Sequence, residues 1–313
     1  MKNYFQYQLC LFIAILTVLG CNTKSRTNQK NQSLSKPNVL FIVVDDLRPE
    51  IGIYGAGHIK SPFMDDLAGQ SLVFDRAYCN VPVCGASRAS VLSGVRPGRY
   101  RFLDFKTFLD QDYPGITSLP KNFKNHDYTT ISNGKVYHHI KDDSLAWDEV
   151  WQPTTTNPWN TRRDYSTKEN LRIEMDSTAR GYPYEKAEVH DTVYLDGKTA
   201  QKAISDLKKL KASDKPFFLA VGFLRPHLPF NAPAKYWEMY DAENISLPAN
   251  YQQPETTPQE AYHNFGELRS YSGIPKNGPV SDEMAKKLIH GYYASVSYVD
   301  AQIGKVLEAL KEQ

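Results

Sequence analysis

The stretch "NVLFIVVDD", Asn38–Asp46, predicts the fold of this chain more directly than any other. It is a continuous run of aliphatic, β-branched and aromatic residues that ends in two carboxylates. Such a run is typical of a strand in a parallel sheet that is covered on both faces. A second run, "KPFFLAVGF" (Lys215–Phe223), and a weaker one, "DYTTISNGK" (Asp127–Lys135), indicate further strands of this sheet. We also expect a strand at "SLVFDRAYC" (Ser71–Cys79).

Segments with helical signals separate these strands. Ser61 and Pro62 are the expected N-cap and first residue of one helix, and Gly94 is the expected end of another. The segments predicted to be helical are 61–70, 87–94, 196–213 and 281–310. The Pro-rich stretches 140–195 and 241–280 predict loops and short helices. Strands that alternate with helices indicate an α/β fold with a largely parallel central sheet flanked by helices.

The N-terminus predicts export. Lys2 precedes an apolar run from Leu9 to Leu19, which is shorter than the roughly 20 residues that span a bilayer and suits a signal peptide. "VLGC" resembles a bacterial lipobox, so we expect residues 1–20 to be removed and Cys21 to be lipidated. The alternative is a plain secretory signal cut near Gly20. Lipidation would anchor the protein to the bacterial outer membrane, in the periplasm or at the cell surface.

Charge and composition divide the chain further. Residues 21–36 are polar, basic and without periodicity, which predicts a disordered tether before a domain at 37–313. Residues 1–36 hold five Lys or Arg and no acid, so the remaining 32 basic and 35 acidic residues give that domain a net charge of −3. A domain with this charge has no broad positive field to attract nucleic acid.

Polar clusters follow the three principal strands. Asp45 and Asp46 follow the first, Lys135 and His138 follow the second, and His227 follows the third within "RPH". Ligands of open α/β sheets bind beyond the carboxyl ends of the strands, so these clusters should meet at one edge. Adjacent carboxylates at the end of a buried strand need a cation, and Ca²⁺ or Mg²⁺ prefers such oxygens. The alternative is a turn in which one aspartate caps the next helix.

Cys84 lies near the predicted start of a helix, where free N–H groups and the helix dipole favour anions. Arg88, four residues on, can turn toward the same place. A small buried thiol is the commoner role for such a cysteine. A disulfide with Cys79 is a further alternative, because two close thiols can pair in an oxidising compartment.

These residues resemble a known family. "CGASRASVLSGVRP" (Cys84–Pro97) resembles the signature of the formylglycine-dependent, or type I, sulfatases, C-x-P-x-R, with Ala86 in place of the usual proline. Further blocks in the same order resemble the branch of this family that acts on 2-O-sulfated uronates: "NVLFIVVDDLRP", "SPFMDDLA", "GKVYH", "PFFLAVGFLRPHLPF" and "YYASVSYVDAQIGKVL". The resemblance implies the alkaline-phosphatase-like fold of these enzymes.

The resemblance also implies roles for individual residues. A maturation enzyme oxidises Cys84 to formylglycine, whose hydrate offers one oxygen to attack sulfur and another whose deprotonation releases sulfate. Arg88, Lys135 and His138 then steady the formylglycine and the sulfate, and His227 contacts the sulfate. Asp45, Asp46 and residue 84 bind the metal, usually Ca²⁺. Asp104 is an expected substrate-binding residue, with a structural role as the alternative.

The family pattern also contains an Asp followed by His or Asn, and a later lysine, beyond the segment that matches the helix at 281–310. We find no such block here, so the resemblance predicts only the N-terminal portion of the catalytic domain. Sulfated oligo- or polysaccharides are the expected substrates. A non-catalytic glycan-binding lipoprotein, and a phosphatase or phosphonate hydrolase of the same superfamily, remain the alternatives.

Overall fold

The computed structural model describes residues 36–153, 163–176, 180–252 and 254–312. The predicted signal peptide, Cys21 and nearly all of the predicted tether lie outside these ranges. The strands are β1 (Val39–Val44), β2 (Thr129–Gly134), β3 (Glu149–Trp151), β4 (Tyr184–Ala187), β5 (Phe217–Phe223) and β6 (Phe230–Pro233). The α-helices are α1 (Pro62–Gly69), α2 (Cys84–Ser93), α3 (Leu109–Asp112), α4 (Leu119–Asn125), α5 (Lys168–Met175), α6 (Leu195–Lys211), α7 (Ala234–Trp237) and α8 (Asp282–Lys311).

The central sheet has the order β1-β5-β2-β3, and all its neighbouring strands run parallel. A smaller parallel pair is formed by β4 and β6. The three strands predicted from apolar runs therefore lie side by side, with β5 in the middle. This arrangement confirms the predicted α/β fold with a parallel sheet.

The core has two layers, one on each face of the sheet. Leu219 and Val221 of β5 face α6 and α8, whereas Phe218 and Ala220 face the side of α2 and α4. This alternation follows from the two-residue period of a strand. Every residue of β5 is buried, as predicted for a strand covered on both faces.

Strand β1 is less buried than its sequence predicts. All six of its residues keep an intermediate exposure, although the composition of β1 is as apolar as that of β5. In the described part of the chain only β5 pairs with β1, so the other edge of β1 borders a cavity. An apolar run therefore identified the strand correctly but not its place at the border of the sheet.

The predicted strand at Ser71–Cys79 is wrong. The segment is irregular, and Leu72, Phe74 and Tyr78 are 81%, 67% and 86% exposed. Without neighbouring strands its backbone has no partners for a ladder, so its β propensity is not used. Sequence patterns also missed the short strands β3 and β4, which lie in the stretch expected to be irregular.

The helix termini confirm most of the predicted signals. Gly94 ends α2 with a φ of 69°, and its N–H bonds to the carbonyl of Ser90. Ser281 caps α8 by accepting the N–H of Met284. Ser61 precedes α1 as expected, but its side chain bonds to Asp65, and the carboxylate of Asp300 accepts the first N–H groups of the helix instead. Across the part of the chain that is described, no helix is long and apolar enough to cross a membrane.

Candidate active site

The carboxyl ends of β1, β5 and β2 meet at one edge, as the strand pattern predicts. The N–H of Asp45 donates to the carbonyl of Phe223 at 3.1 Å, and the N–H of Lys135 donates to the carbonyl of Gly222 at 2.8 Å. Gly222 must be a glycine, because an added Cβ would lie 2.1 Å from the carbonyl oxygen of Lys135. This close approach fixes the polar residues after β1 and β2 relative to each other.

Asp45 is the centre of a buried ionic cluster. Its carboxylate pairs with the guanidinium of Arg88 at 2.9 Å and with the ammonium of Lys135. Arg88 also donates to the carbonyls of Lys135 and Val136. Burial alone would raise the pKa of Asp45, but the charges of Lys135 and Arg88 outweigh it and hold the pKa well below the usual range. Asp45 therefore stays ionised.

Cys84 is the first residue of α2, after Val83 in an extended conformation. Its Sγ lies 3.1 Å from Nδ1 of His138, which is buried on the loop after β2. Burial raises the pKa of the thiol, the nearby carboxylates of Asp45 and Asp46 add to this shift, and the charge of Lys135 opposes it. An unmodified Cys84 is thus a poor thiolate nucleophile in this place.

His227 reaches the same edge from the loop after β5. Its Nε2 lies 3.9 Å from a carboxylate oxygen of Asp46 and 3.8 Å from one of Glu267, while its Nδ1 is 2.7 Å from the carbonyl of Leu228. Asp46 has a φ of 56°, and its backbone carbonyl accepts a hydrogen bond from the hydroxyl of Tyr292. Glu267 was not predicted, because it belongs to no polar cluster at a strand end. Tyr292 begins one of the blocks that resemble the family, but no role in the site was predicted for it.

A buried acid supports the loop that carries His227. The carboxylate of Asp196 accepts the N–H groups of Leu224 and Arg225 at 2.7 and 2.8 Å. Arg225 in turn donates to the carbonyl of His227 at 2.8 Å. These bonds fix the direction in which the loop leaves β5. The position of Asp196 in the first turn of a predicted helix gave no signal for this role.

Asp104 borders the start of α2. Its backbone carbonyl lies against Gly85, where an added Cβ would be 2.8 Å away, and its exposed carboxylate accepts the N–H of Lys106 at 2.7 Å. The next residue, Phe105, places its ring centroid 6.3 Å from that of His138. The carboxylate therefore has a structural partner in its own turn, while the segment itself adjoins the residues around Cys84.

Both cysteines of the described domain are free thiols. Cys79 is exposed and Cys84 is half-buried. The alternative of a Cys79–Cys84 disulfide is therefore not what this structure contains.

Asp45, Asp46, Cys84 and Arg88 line one cavity of about 740 Å³ that continues along β1. The proposed metal ligands thus share one space. Within the described ranges, however, no group of three His, Cys, Asp or Glu side chains is placed to hold a metal ion. Asp45 already balances two cations, and Ca²⁺ takes six to eight oxygens. These residues alone do not fit a calcium site, and we derive no reaction step from a metal.

A cluster of cations and anions beside a helix N-terminus, at the carboxyl edge of a parallel sheet, defines an α/β protein whose site suits an anion. Comparison with known protein families shows to which family the chain belongs. Residues 37–313 match the family named Sulfatase, and the chain therefore belongs to the sulfatase family.

Individual relatives agree with this assignment. Human iduronate 2-sulfatase is 32% identical over 315 residues, which cover 96% of this chain and 56% of that protein. The phosphonate monoester hydrolase of Agrobacterium radiobacter has a similar fold, with a TM-score of 0.65 and 21% identity over 88% of this chain and 60% of that one. The structure of a protein in complex with its substrate D-glucosamine-2-N,6-O-disulfate has a TM-score of 0.59 and 18% identity over 88% of this chain and 62% of that one. The chain thus spans about three-fifths of the length of these relatives.

Proposed function

We propose that this protein hydrolyses sulfate esters of sulfated carbohydrates at the edge of the sheet around residue 84. The observation that carries the proposal is the convergence of Cys84, Arg88, Lys135 and His138 on one helix N-terminus. They come from two separate stretches of the sequence, around residues 84–88 and 135–138. The family's signature stands at Cys84–Pro97, and family members generally use a formylglycine and a divalent metal.

The positions of these residues support tasks that suit a sulfate ester. The N–H groups at the start of α2 and the cations of Lys135 and Arg88 offer positive charge to its oxygens. His138 lies beside residue 84, where it can hold or move a proton. A formylglycine at residue 84 would supply the nucleophilic oxygen, a role for which the thiol is unsuited because its pKa is raised.

His227 marks the outer side of this site. It faces Asp46 and Glu267 and has one ring nitrogen bonded to a backbone carbonyl. A histidine ring held in this way is placed for contact with a sulfate oxygen. We propose that the sulfated sugar of the substrate is a 2-O-sulfated uronate or a related unit, because human iduronate 2-sulfatase is among the relatives.

The proposal includes a lipid anchor at Cys21 and a maturation enzyme as a partner. Both rest on the sequence, since Cys21 lies outside the described residues. A Cys21→Ala variant should move from the membrane to the soluble fraction, as measured by fractionation and immunoblotting. Wild-type protein that is already soluble would contradict the anchor.

The decisive experiment reads the chemistry of residue 84 directly. The full chain is co-expressed with a formylglycine-generating enzyme, and the tryptic peptide that contains residue 84 is analysed by mass spectrometry and by labelling with a hydrazide. We expect loss of the thiol and gain of an aldehyde in the wild type, none in Cys84→Ala, and full conversion in the control Cys79→Ala. An intact thiol in every preparation would contradict the proposal.

The second candidate is hydrolysis of phosphate or phosphonate esters, which the fold similarity to a phosphonate monoester hydrolase favours. Turnover of matched aryl sulfate, phosphate and phosphonate esters by the matured protein separates the two. We expect the sulfate ester to be hydrolysed with the largest kcat/KM. Preference for the phosphonate would replace the proposed function by the second candidate.

A further inference from the structure

A second cavity, of about 560 Å³, lies apart from the site at Cys84. It lies between α5, β4, the end of α7 and the first turns of α8. Its lining includes Tyr182, Tyr184, Trp237, Lys286, Lys287 and His290. None of these residues takes part in the site described above. The volume falls within the range of binding sites for small molecules.

Aromatic rings form much of the wall. The rings of Tyr182 and Tyr184 are stacked, with centroids 5.9 Å apart and planes at 19°. The ring centroids of Trp237 and His290 lie 4.9 Å apart. Among the described residues, no side chain or backbone group bonds to the hydroxyl of Tyr182 or Tyr184. Flat rings that carry a polar group suit the mixed apolar and hydroxylated surface of a sugar.

The wall is held in place from behind. The buried carboxylate of Glu185 accepts hydrogen bonds from Thr167 and from the hydroxyl of Tyr194. The indole N–H of Trp237 donates to the carbonyl of Glu185 at 3.1 Å, and Nε2 of His290 lies 2.8 Å from the carbonyl of Trp237. The cavity is therefore preformed, which lowers the entropic cost of binding.

Three lysines line the cavity, and the ammonium of one of them, Lys186, pairs with Glu238 at 2.9 Å. Lys287 places its Nζ 4.4 Å from the ring centroid of Tyr184, and the exposed Lys286 precedes it in α8. These amines complement an anionic substituent. Glu169 and Glu283 also line the cavity and can accept hydrogen bonds from sugar hydroxyls. The stacking rings, the amines of Lys286 and Lys287, and the acceptors of Glu169 and Glu283 together suit an anionic sugar.

Two chain segments connect this cavity to the candidate active site. Tyr184 on β4 pairs with Phe230 on β6, three residues after His227. At about 3.8 Å per residue and 4.8 Å between strands, the Cα atoms of Tyr184 and His227 are within about 17 Å of each other. The second segment runs from Glu267, which faces His227, to Gly273, which lies against the ring of Tyr182.

We propose that this cavity is a subsite for an anionic sugar unit of the same sulfated glycan whose ester is hydrolysed at residue 84. The inference rests on the proposed function, because it takes the sulfated glycan as the ligand. The subsite adds affinity for a longer chain without touching the reacting ester. A single sulfated sugar is too small to occupy both the site at residue 84 and the second cavity. Only the binding of oligosaccharides therefore depends on the subsite.

The test measures binding by titration calorimetry, with the full chain and a heparin hexasaccharide as the probe. We expect the double variant Lys286→Ala/Lys287→Ala to bind about tenfold more weakly than the wild type. The matched control is Lys208→Ala/Lys209→Ala, an adjacent pair of exposed lysines on α6 that removes the same charge. We expect the control to stay within about twofold of the wild type.

Variants of Tyr184 test the stacking separately. Tyr184→Phe keeps the ring and should bind nearly as the wild type, whereas Tyr184→Leu should lose affinity severalfold, with circular dichroism to verify its fold. Equal binding by the wild type and both lysine variants would overturn the subsite, as would a wild type that does not bind the probe. Sulfate release from a monosaccharide ester then shows independently whether the proposed function stands.

Discussion

The two halves of the candidate active site differ sharply in burial. The inner half consists of Asp45, Arg88 and Lys135, and the outer half of Asp46, His227 and Glu267. The side chain of Asp45 is 4% exposed and that of Asp46 is 55% exposed, although the two are neighbours in sequence. The inner half is a closed ionic cluster, whereas the ion pairs of the outer half are long, at 3.8 to 3.9 Å.

The backbone explains why neighbours differ in this way. Asp45 still belongs to the sheet, since its N–H bonds to the carbonyl of Phe223. Asp46 has a φ of 56°, a left-handed conformation that aspartate tolerates better than most residues. The turn directs one carboxylate into the protein and the other toward solvent. Of these two neighbouring aspartates, Asp45 therefore has a structural role in the buried cluster, whereas the carboxylate of Asp46 remains accessible to solvent.

The largest expected effect distinguishes the two halves by stability. Asp45→Asn leaves the cations of Arg88 and Lys135 buried without their counter-charge, so we expect a loss of about 3–5 kcal/mol in the free energy of unfolding. Asp46→Asn, the matched control, should change it by less than about 1 kcal/mol, because its pairing is long and exposed. Urea unfolding at pH 7 measures both.

The pH dependence should reinforce the difference. The pKa of Asp45 is depressed in the folded state, so its contribution is present above its unfolded pKa and is lost as the pH falls through the folded value. Equal losses for Asp45→Asn and Asp46→Asn would mean that the inner half is not the ionic cluster described here.

A smaller effect concerns the loop that carries His138 next to the inner half. Burial raises the pKa of Asp142 to about 6. The hydrogen bonds from the N–H groups of Leu109 and Asp110 lower this pKa, but they do not cancel the effect of burial. Between the unfolded pKa near 3.8 and about 6, the folded state keeps a proton that the unfolded state has lost. The free energy of unfolding therefore falls as the pH rises through this window, by up to about 3 kcal/mol.

Asp142→Asn removes this dependence and should flatten the difference in stability between pH 4 and pH 7. Chemical denaturation at several pH values checks the slope. Asp75→Asn, at an exposed position of the irregular segment 71–79, is the control and should keep the slope of the wild type. A wild type and an Asp142→Asn variant with parallel curves would show that Asp142 titrates normally.

The smallest expected effect concerns calcium. Because Asp45 is already neutralised by two cations, the full chain should bind Ca²⁺ with a Kd of about 1 mM or weaker, so that 1 mM Ca²⁺ stabilises it by less than about 0.4 kcal/mol. Thermal unfolding with and without EGTA measures this. Stabilisation of about 2.7 kcal/mol, as a 100-fold excess over Kd would give, would show that the two halves combine into a real metal site.

Much of the fold was predictable because it depends on local patterns. The apolar runs located β1, β2 and β5, and the helical segment predicted at 196–213 matches α6, whose buried face includes Ala200, Ala203, Leu207 and Leu210. The short strands β3 and β4 were missed, since three or four residues of mixed polarity carry no usable period. The strand expected at Ser71–Cys79 does not form, because a segment with β propensity but no neighbouring strand to pair with does not become part of a sheet.

The residues of the candidate site likewise divide into those that local patterns predict and those that they do not. Sequence and family resemblance together located Asp45, Cys84, Arg88, Lys135, His138 and His227, because they stand in motifs or at strand ends. Glu267 was not predictable, since it reaches the site from a segment 40 residues downstream of His227 without any motif. Tyr292 begins a block that resembles the family, but that block gave no sign of the hydrogen bond to the carbonyl of Asp46. The role of Asp196 also depends on packing, because it holds the loop before His227 through backbone N–H groups.

The sequence by itself determined the α/β class, the main parallel strands and the residue types gathered at their ends, because these depend on periodicity and on short motifs. Only the tertiary structure decided that Asp45 is buried between Arg88 and Lys135, that Cys84 lies beside His138, and that Glu267 faces His227. Each of these contacts joins residues that are between 40 and 90 positions apart. Their distances are set by the register of the sheet and by how helices and loops pack over its edge, which no local pattern records.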